Sequence, residues 1–395
     1  MTTTTTKERI WSVDMLRGLI IALMAIDHIR DYWALTPFAP ADLSQSNAAW
    51  FFTRWITHFC APVFVFLAGT SAFLYGNKIN DKGRLSRFLF TRGLWLIFIE
   101  VVVINFAWTF SMPSTTGFVF LQVIWVIAIS MVLMSALIYL KDKIIFIIGL
   151  LLVVGHNLLD NITPESLGTM AGLWNLLHVQ GFIPLAGDGS FGIFVIYPII
   201  PWVGVMALGY VFGTVMIRPS EERRKRLLTL GLALVGLFVA LRLLNVYGDP
   251  SPWETQERGA FFTFMDFLNT AKYPPSLLYL LMTLGPGILV LLVLDKWTGK
   301  TAEALKVFGA VPFFFYIIHF FIINAASQLY NYFVYGDFIN LVGSFFSGSG
   351  FPEGYVPKVW MVYIVWALLM PLMYFLCKWY GQYKAEHDYW WLKYL

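Results

Sequence analysis

Apolar runs long enough to cross a lipid bilayer recur along the whole chain, with short polar segments between them. A helix rises ~1.5 Å per residue and a hydrocarbon core is ~30 Å thick, so about 20 apolar residues make one span. Helices also satisfy their own backbone hydrogen bonds in lipid. The pattern therefore predicts an all-α helix bundle of about ten spans, at 16–36, 50–76, 88–110, 118–140, 143–159, 192–217, 226–247, 275–294, 306–334 and 358–379.

The composition agrees with this pattern. Of the 395 residues, 58% are hydrophobic and only 13% are charged, which excludes a water-soluble globule. The spans leave no stretch for a soluble domain, so we expect a single transmembrane domain over residues 1–395. Residues 1–15 are interpreted as a flexible N-terminus, and residues 380–395, rich in Tyr, Trp and Lys, as a tail at the inner membrane interface.

Charge sets the expected orientation of the bundle. Most of the 27 lysines and arginines lie in connections that alternating spans place on one side. This bias predicts cytoplasmic termini and a multi-pass protein of the bacterial inner membrane, with the lipid bilayer as a partner. The net charge of +4 then reflects loop topology, and no basic patch indicates nucleic acid. The connections predicted outside include four long ones: 36–49, 160–191, 248–274 and 335–357.

Ionisable residues within the first two spans are the strongest functional signal. Such groups are costly in lipid, so they usually face a protein cavity and mark a site of chemistry or transport. Counted from the outer ends of their spans, His28 and His58 both lie about 12 Å deep. A histidine beside a carboxylate is a common general base. We therefore predict one polar cavity whose catalytic residues are His28, Asp27, Asp31 and His58.

Other polar residues in spans are expected to reach the same cavity. The predicted substrate-binding set from this pattern is Lys272, Ser276, Glu100, His319 and Arg54. Each also has a structural alternative, such as a hydrogen bond between helices; for Arg54 the alternative is that its side chain only reaches toward the outer interface. Trp108 and Trp202 are interpreted as interfacial belt residues. No His or acidic residues repeat with metal-ligand spacing, so no metal is expected, and Cys60 and Cys377 indicate no disulfide.

Several stretches of the sequence are similar to one known family. In chain order they are SVDMLRGLIIALMAIDH, THFCAPVFVFLAGTSAFLYG, YPIIPWVGVMALGYVFG, KYPPSLLYLLMTLG and FGAVPFFFYIIH. Together they resemble bacterial members of the heparan-α-glucosaminide N-acetyltransferase family of transmembrane acyltransferases. The SVDxxRG and PxFVFxxG motifs of the first two stretches are the more specific, and the YxxH of the ninth span is a more general acyltransferase feature.

The resemblance implies transfer of an acetyl group from cytoplasmic acetyl-CoA to a saccharide on the far side of the membrane. It places His28 at a catalytic position of the family, on the first core helix. A second catalytic position, a histidine in an HxxW stretch, falls near Asn47 in NAAW, which joins the predicted substrate-binding set. His58 is the replacement candidate for the missing histidine.

These implications combine with the residue pattern in one mechanistic hypothesis. His28, oriented by Asp27 or Asp31, removes a proton from an acceptor amine or hydroxyl, and His58 or Lys272 stabilises the oxyanion. The CoA phosphates are expected at the cytoplasmic residues Arg84, Arg87 and Arg92, for which a role in topology alone is the alternative.

The pattern leaves another class of function open. Buried His and Asp pairs also form proton relays, so a proton-coupled transporter or flippase of an envelope precursor is the main alternative. A structural scaffold is a third interpretation. The identity of the acceptor, the acyl chain length and the existence of a homodimer are left open by the sequence.

Overall fold

The computed structural model describes residues 10–393 and confirms the predicted all-α helix bundle. The predicted flexible N-terminus lies outside the described residues up to residue 9, as does the end of the predicted tail at 394–395. The first half of the bundle contains α1 Trp11–Trp33, α2 Ala48–Thr57, α3 Cys60–Ile79, α4 Lys82–Phe98, a π-helix at Ile99–Ile104, α5 Asn105–Thr109, α6 Pro113–Thr116, α7 Val123–Leu137, α8 Asp142–Gly155 and α9 Ala171–Leu177. The second half contains α10 Ile199–Met216, α11 Ser220–Leu244, α12 Ala260–Leu268, α13 Leu277–Leu294, α14 Lys300–Ala310, α15 Pro312–Tyr335, α16 Leu341–Ser347 and α17 Val359–Glu386. Short 3₁₀ helices occur at His156–Leu159, Pro164–Met170 and Trp390–Lys393.

Every predicted span contains a helix or a run of consecutive helices. Within residues 10–393, eight helical segments are long and apolar enough to cross a membrane. They are Ala48–Ile79, Lys82–Thr109, Asp142–Leu159, Ile199–Met216, Ser220–Leu244, Leu277–Leu294, Pro312–Tyr335 and Val359–Glu386. The charged helix α1 and the shorter apolar helix α7 complete the predicted set. The protein is therefore a multi-pass membrane protein.

Two predicted spans were wrong at their outer ends, where the chain forms strands. The predicted spans 118–140 and 192–217 begin with β1 Phe118–Leu121 and β3 Gly192–Val195. With β2 Gly181–Pro184 they form a sheet of order β1-β3-β2, in which β1 is parallel and β2 antiparallel to β3. Strand pairing satisfies the backbone hydrogen-bonding groups of these segments. Non-helical backbone at membrane depth must be surrounded by protein and not by lipid.

The predicted span 306–334 is also divided. Helix α14 ends at Ala310, and α15 begins at Pro312, where proline at the first helical position costs no hydrogen bond.

Helix α1 is central to the bundle and packs against α2, α3, α13, α14, α15, α16 and α17. Its crossing with α14 is a backbone contact. A Cβ added to Gly18 would lie 2.0 Å from the Leu305 carbonyl oxygen, and one added to Gly309 would lie 1.8 Å from the Asp14 oxygen. Glycine at both positions therefore allows the close approach that fixes α1, as small residues do in membrane helix packing.

Candidate active site

A large cavity of about 770 Å³ opens within one end of the bundle. All four of the long connections predicted to lie outside contribute to its wall, through Pro37, Gln180, Lys272 and Phe345 among others. These four connections therefore surround one cavity. The sequence showed that they are long, but not that they lie together.

The predicted catalytic residues share this cavity. Asp27, His28, Asp31 and His58 all line the large cavity, together with Arg54 and Lys272 of the predicted substrate-binding set. The first three lie on one side of α1 because residues three and four apart neighbour each other on a helix. His58 caps the C-terminus of α2, one turn after Arg54. The structure thus brings the two imidazoles of the first helical hairpin to one void.

Asp27 is the centre of a buried ion cluster. Its carboxylate accepts hydrogen bonds from Arg54 Nη1 at 2.8 and 2.9 Å and from Arg30 Nη2 at 2.5 Å. Thr57 Oγ1 donates to the same carboxylate at 2.9 Å, and Lys272 Nζ lies 3.9 Å from Oδ2. Arg54 is therefore an ion-pair partner, and the alternative that it only reaches toward the interface is wrong.

The predicted pairing of His28 with a carboxylate is wrong. His28 Nδ1 lies 2.7 Å from Nε2 of His319, and its ring stacks on that of His319. Asp27 and Asp31 are occupied by arginines, which compete better for a buried carboxylate than a neutral imidazole does. His319 is fully buried and lies behind His28 rather than in the cavity wall, so we correct its role from substrate contact to support of His28.

The hydrogen bonds of this histidine pair assign its tautomers. His319 Nδ1 lies 3.0 Å from the carbonyl oxygen of Phe315, which can only accept, so this nitrogen carries the hydrogen. In neutral His319 the Nε2 atom must then accept, and His28 Nδ1 must donate to it. His28 Nε2 consequently carries the lone pair. Since His28 lines the cavity, the pair presents a base there.

Three other predicted substrate-binding residues lie outside the cavity wall and have structural partners instead. Glu100, fully buried in the π-helix, accepts a hydrogen bond from the backbone N–H of Gln122 at 2.7 Å. Asn47 caps the N-terminus of α2, and Ser276 caps that of α13. Their side chains therefore support the helices that form the wall, and we correct their role from substrate contact to this support.

The loop that carries Lys272 is held by a buried carboxylate. Asp249 accepts hydrogen bonds from Ser276 Oγ at 2.6 Å and from the Ala271 N–H at 2.9 Å. Burial raises the pKa of Asp249, against the opposite effect of these hydrogen bonds and of the nearby Arg242. The contacts fix both ends of the turn in which Lys272 enters the cavity.

Two tryptophans that were expected at the membrane interface are buried instead. Trp108 is buried in the wall of the large cavity with its ring edge-on to His28 at 5.8 Å, and Trp202 is fully buried against Tyr197. Their interpretation as interfacial belt residues is therefore wrong.

The sequence patterns also missed the wall residue Tyr316. It lines the cavity one turn before His319, and the YxxH spacing was a signal that could have identified it.

A smaller cavity of about 410 Å³ lies further along the same helices. Its wall is largely apolar, with the cationic residues Arg17, Arg92 and Lys384 on helices α1, α4 and α17. Of the three arginines predicted to bind CoA, only Arg92 lines it, whereas Arg84 and Arg87 are exposed on α4. The cations lie on the side that the sequence predicts to be cytoplasmic.

The two cavities are neighbours within the bundle. On α1, the residues that line the small cavity extend as far as Met24, and those that line the large cavity begin at Asp27. Tyr316 of α15 and Val123 of α7 belong to both walls. The two voids are thus separated by a narrow partition next to the His28 imidazole, whose ring centroid is 6.1 Å from that of Tyr316.

A family model matches the part of the chain that contains most of this site. The family model described as heparan-alpha-glucosaminide N-acetyltransferase, catalytic, matches residues 9–246, more than half of the 395 residues. The chain belongs to this family. The resemblance predicted from the sequence is thereby confirmed. A comparison with curated proteins gives no match.

The protein is therefore a member of a membrane N-acetyltransferase family. The matched segment contains the ion cluster of α1 and α2, with His28 and His58, and also Arg92 of the small cavity. His319 and Lys272 lie beyond it, so the structure alone connects them to the site. Among residues 10–393, no group of three or more His, Cys, Asp or Glu side chains is arranged to hold a metal ion.

Proposed function

We propose that this protein transfers an acetyl group from cytoplasmic acetyl-CoA to an amine or hydroxyl of a saccharide on the outer side of a bacterial inner membrane. The observation that carries the proposal is the pair of cavities that meet at Tyr316 and Val123, next to a histidine with a free lone pair. Two substrates that enter from opposite sides would come together there without either crossing the bilayer.

The small cavity suits the donor. Its apolar wall fits the thin acyl-pantetheine arm, and Arg17, Arg92 and Lys384 provide positive charge for the CoA phosphates. The large cavity, with its polar cluster and its wall of connecting segments, suits a more bulky acceptor. Ligand sites of this kind combine an apolar lining with a few placed polar groups.

The chemistry follows as a direct transfer. The acceptor nitrogen or oxygen attacks the thioester carbonyl carbon while its proton moves to His28 Nε2. A new C–N or C–O bond forms, the C–S bond breaks, and the CoA thiolate takes the proton from His28. Lys272 or His58, both in the cavity wall, stabilises the oxyanion of the intermediate.

A sided assay tests this proposal. Purified protein is inserted into sealed vesicles with radiolabelled acetyl-CoA supplied at the predicted cytoplasmic face, and with glucosamine, glucose or glucuronate as probe acceptors at the other face. We expect labelled acetyl sugar on the acceptor side and free CoA on the donor side. A protein that is inert to acyl-CoA yet carries solute into the vesicles would replace the enzyme by the transporter.

Replacement of Arg92 by glutamine tests the donor cavity. We expect the dissociation constant of acetyl-CoA to rise about tenfold, because one charge-assisted phosphate contact is lost. Lys225→Gln is the matched control, since this exposed lysine of α11 lines neither cavity. Titration calorimetry on the detergent-solubilised protein measures both constants, and equal values for the two variants would remove Arg92 from the donor site.

Replacement of His319 tests its role in positioning His28. Phenylalanine removes the acceptor for His28 Nδ1–H, so we expect kcat to fall about tenfold or more, with a shifted pH profile and an unchanged KM for acetyl-CoA. Glutamine offers a carbonyl acceptor and should restore part of the rate. If both variants lose the same activity and keep the wild-type pH profile, the histidine pair has only a packing role.

A further inference from the structure

The charges that line the large cavity do not balance. Among the described residues, its wall holds the cations Arg30, Arg54 and Lys272 and the carboxylates Asp27 and Asp31. The two guanidinium groups are bound by the carboxylates at hydrogen-bond distance. Counting the histidines as neutral, one positive charge has no counter-charge.

Lys272 is the cation with the weakest compensation. Its Nζ lies 3.9 Å from Asp27 Oδ2, beyond hydrogen-bond distance, and this carboxylate is already held by Arg54. The ammonium group also lies over the Tyr273 ring, 5.2 Å from its centroid, but within residues 10–393 it makes no hydrogen bond, and the residue is 9% exposed. A buried ammonium with three unused donors favours an anionic ligand.

Other buried donors in the wall show the same imbalance. Arg30 Nη1 and Trp108 Nε1 have no hydrogen-bond partner among the described residues. Both groups can only donate, whereas His58 Nδ1, which also has no partner among the described residues, can accept or donate according to its tautomer. Buried donors without partners are rare in native proteins and usually await a ligand or water.

We propose that the acceptor is a hydroxyl of a saccharide unit that itself carries a carboxylate or a phosphate, and that Lys272 binds this anionic group. The proposal rests on the acetyl transfer proposed above. It departs from an aminosugar acceptor, because an amine is largely protonated at neutral pH and the excess positive charge of the cavity repels an ammonium group.

The corresponding step is an O-acetylation. The saccharide hydroxyl oxygen bonds to the thioester carbonyl carbon, and its proton passes to His28 Nε2. The C–S bond breaks, the CoA thiolate receives the proton, and an acetyl ester remains on the saccharide. The carboxylate or phosphate stays bound to Lys272 and takes no part in bond changes.

Binding of four matched sugars in the absence of acetyl-CoA tests the charge preference. The probes are glucosamine, glucose, glucuronate and glucose 6-phosphate, each titrated into the full-length protein in detergent. We expect the two anions to bind at least about tenfold more tightly than glucose, and glucosamine to bind most weakly. Comparison of the two anions distinguishes a carboxylate from a phosphate site. Equal or tighter binding of glucosamine would overturn the proposal.

Substitution of Lys272 assigns the preference to one residue. Lys272→Met should bring glucuronate and glucose 6-phosphate to the affinity of glucose, whereas Lys272→Arg should retain the preference. Lys358→Met is the control, because this exposed lysine precedes α17 outside both cavities. If Lys272→Met does not fold, the Arg variant and the order of the four sugars on the wild-type protein still decide the outcome.

Two results would show that the positive charge serves another purpose. Unchanged anion affinity in Lys272→Met, with a lower transfer rate, would assign Lys272 to the oxyanion alone. Loss of glucose 6-phosphate binding in the presence of saturating CoA would assign the anion site to the donor. Either result overturns the proposal.

The transfer assay distinguishes failure of the anionic-acceptor proposal from failure of the acetyltransferase function on which it rests. Efficient acetylation of glucose or glucosamine, with no preference for anions, would leave the acetyltransferase in place and reject the anionic acceptor. Conversely, a clear anion preference without any acetyl transfer would reject the enzyme while the anion site remained.

Discussion

Replacement of His28 by glutamine is expected to reduce acetyl transfer by about 10²–10⁴-fold, which is the usual contribution of a positioned general base. Glutamine has a similar size and can still hydrogen-bond to His319 Nε2, so the pair remains packed. It offers no basic lone pair to the acceptor. The affinity for acetyl-CoA should remain unchanged, because the residues of α1 that line the proposed donor cavity extend only to Met24 and do not include His28. Initial rates and acetyl-CoA titrations on the same preparation measure both quantities.

His387→Gln provides the matched control for this variant. His387 follows α17 and hydrogen-bonds to the Tyr383 carbonyl, outside both cavities. We expect its transfer rate to equal that of the wild-type protein. A His28→Gln variant with a near-normal rate would reject His28 as the base and, with it, the mechanism built on its lone pair.

Replacement of Asp27 by asparagine is expected to have the largest effect on stability. The substitution preserves shape but removes the carboxylate that holds Arg54 and Arg30 and faces Lys272. Breaking a buried ion pair by removing one partner typically costs about 3–5 kcal/mol, because the remaining charge is uncompensated. Thermal unfolding of the detergent-solubilised protein measures the loss. Asp31→Asn should cost less, since Asp31 has a single arginine contact at 3.0 Å.

A second substitution separates charge from shape in this cluster. Adding Arg54→Gln to Asp27→Asn removes one of the stranded cations, so the double variant should be more stable than the sum of the two single losses implies. Strict additivity would mean that Asp27 and Arg54 do not interact energetically, despite their 2.8 Å contact.

The fold was largely predictable because membrane helices are encoded by long apolar runs. The errors occurred where backbone is non-helical at the outer end of the bundle, as in Phe118–Leu121 and Gly192–Val195. These strands are as apolar as the helices that follow them, so hydropathy alone cannot separate the two. Their pairing joins segments distant in sequence, which no local pattern records.

The site was predictable in its location but not in its hydrogen bonds. Depth along two adjacent spans correctly placed His28 and His58 at one cavity. The partner of His28 could not be derived this way, because His319 is 291 residues away and reaches it only through the packing of α15 on α1. A nearby carboxylate is the natural expectation for an imidazole, and three cations compete for Asp27 here.

Tyr316 and Val123, the side chains common to both cavities, have a consequence for what travels through the protein. In the proposed transfer, neither nucleotide nor sugar needs to leave its own aqueous compartment, because the two cavities share these side chains. Under this proposal only the two-carbon acetyl group changes sides, and the protein stays closed to ions and metabolites throughout its cycle.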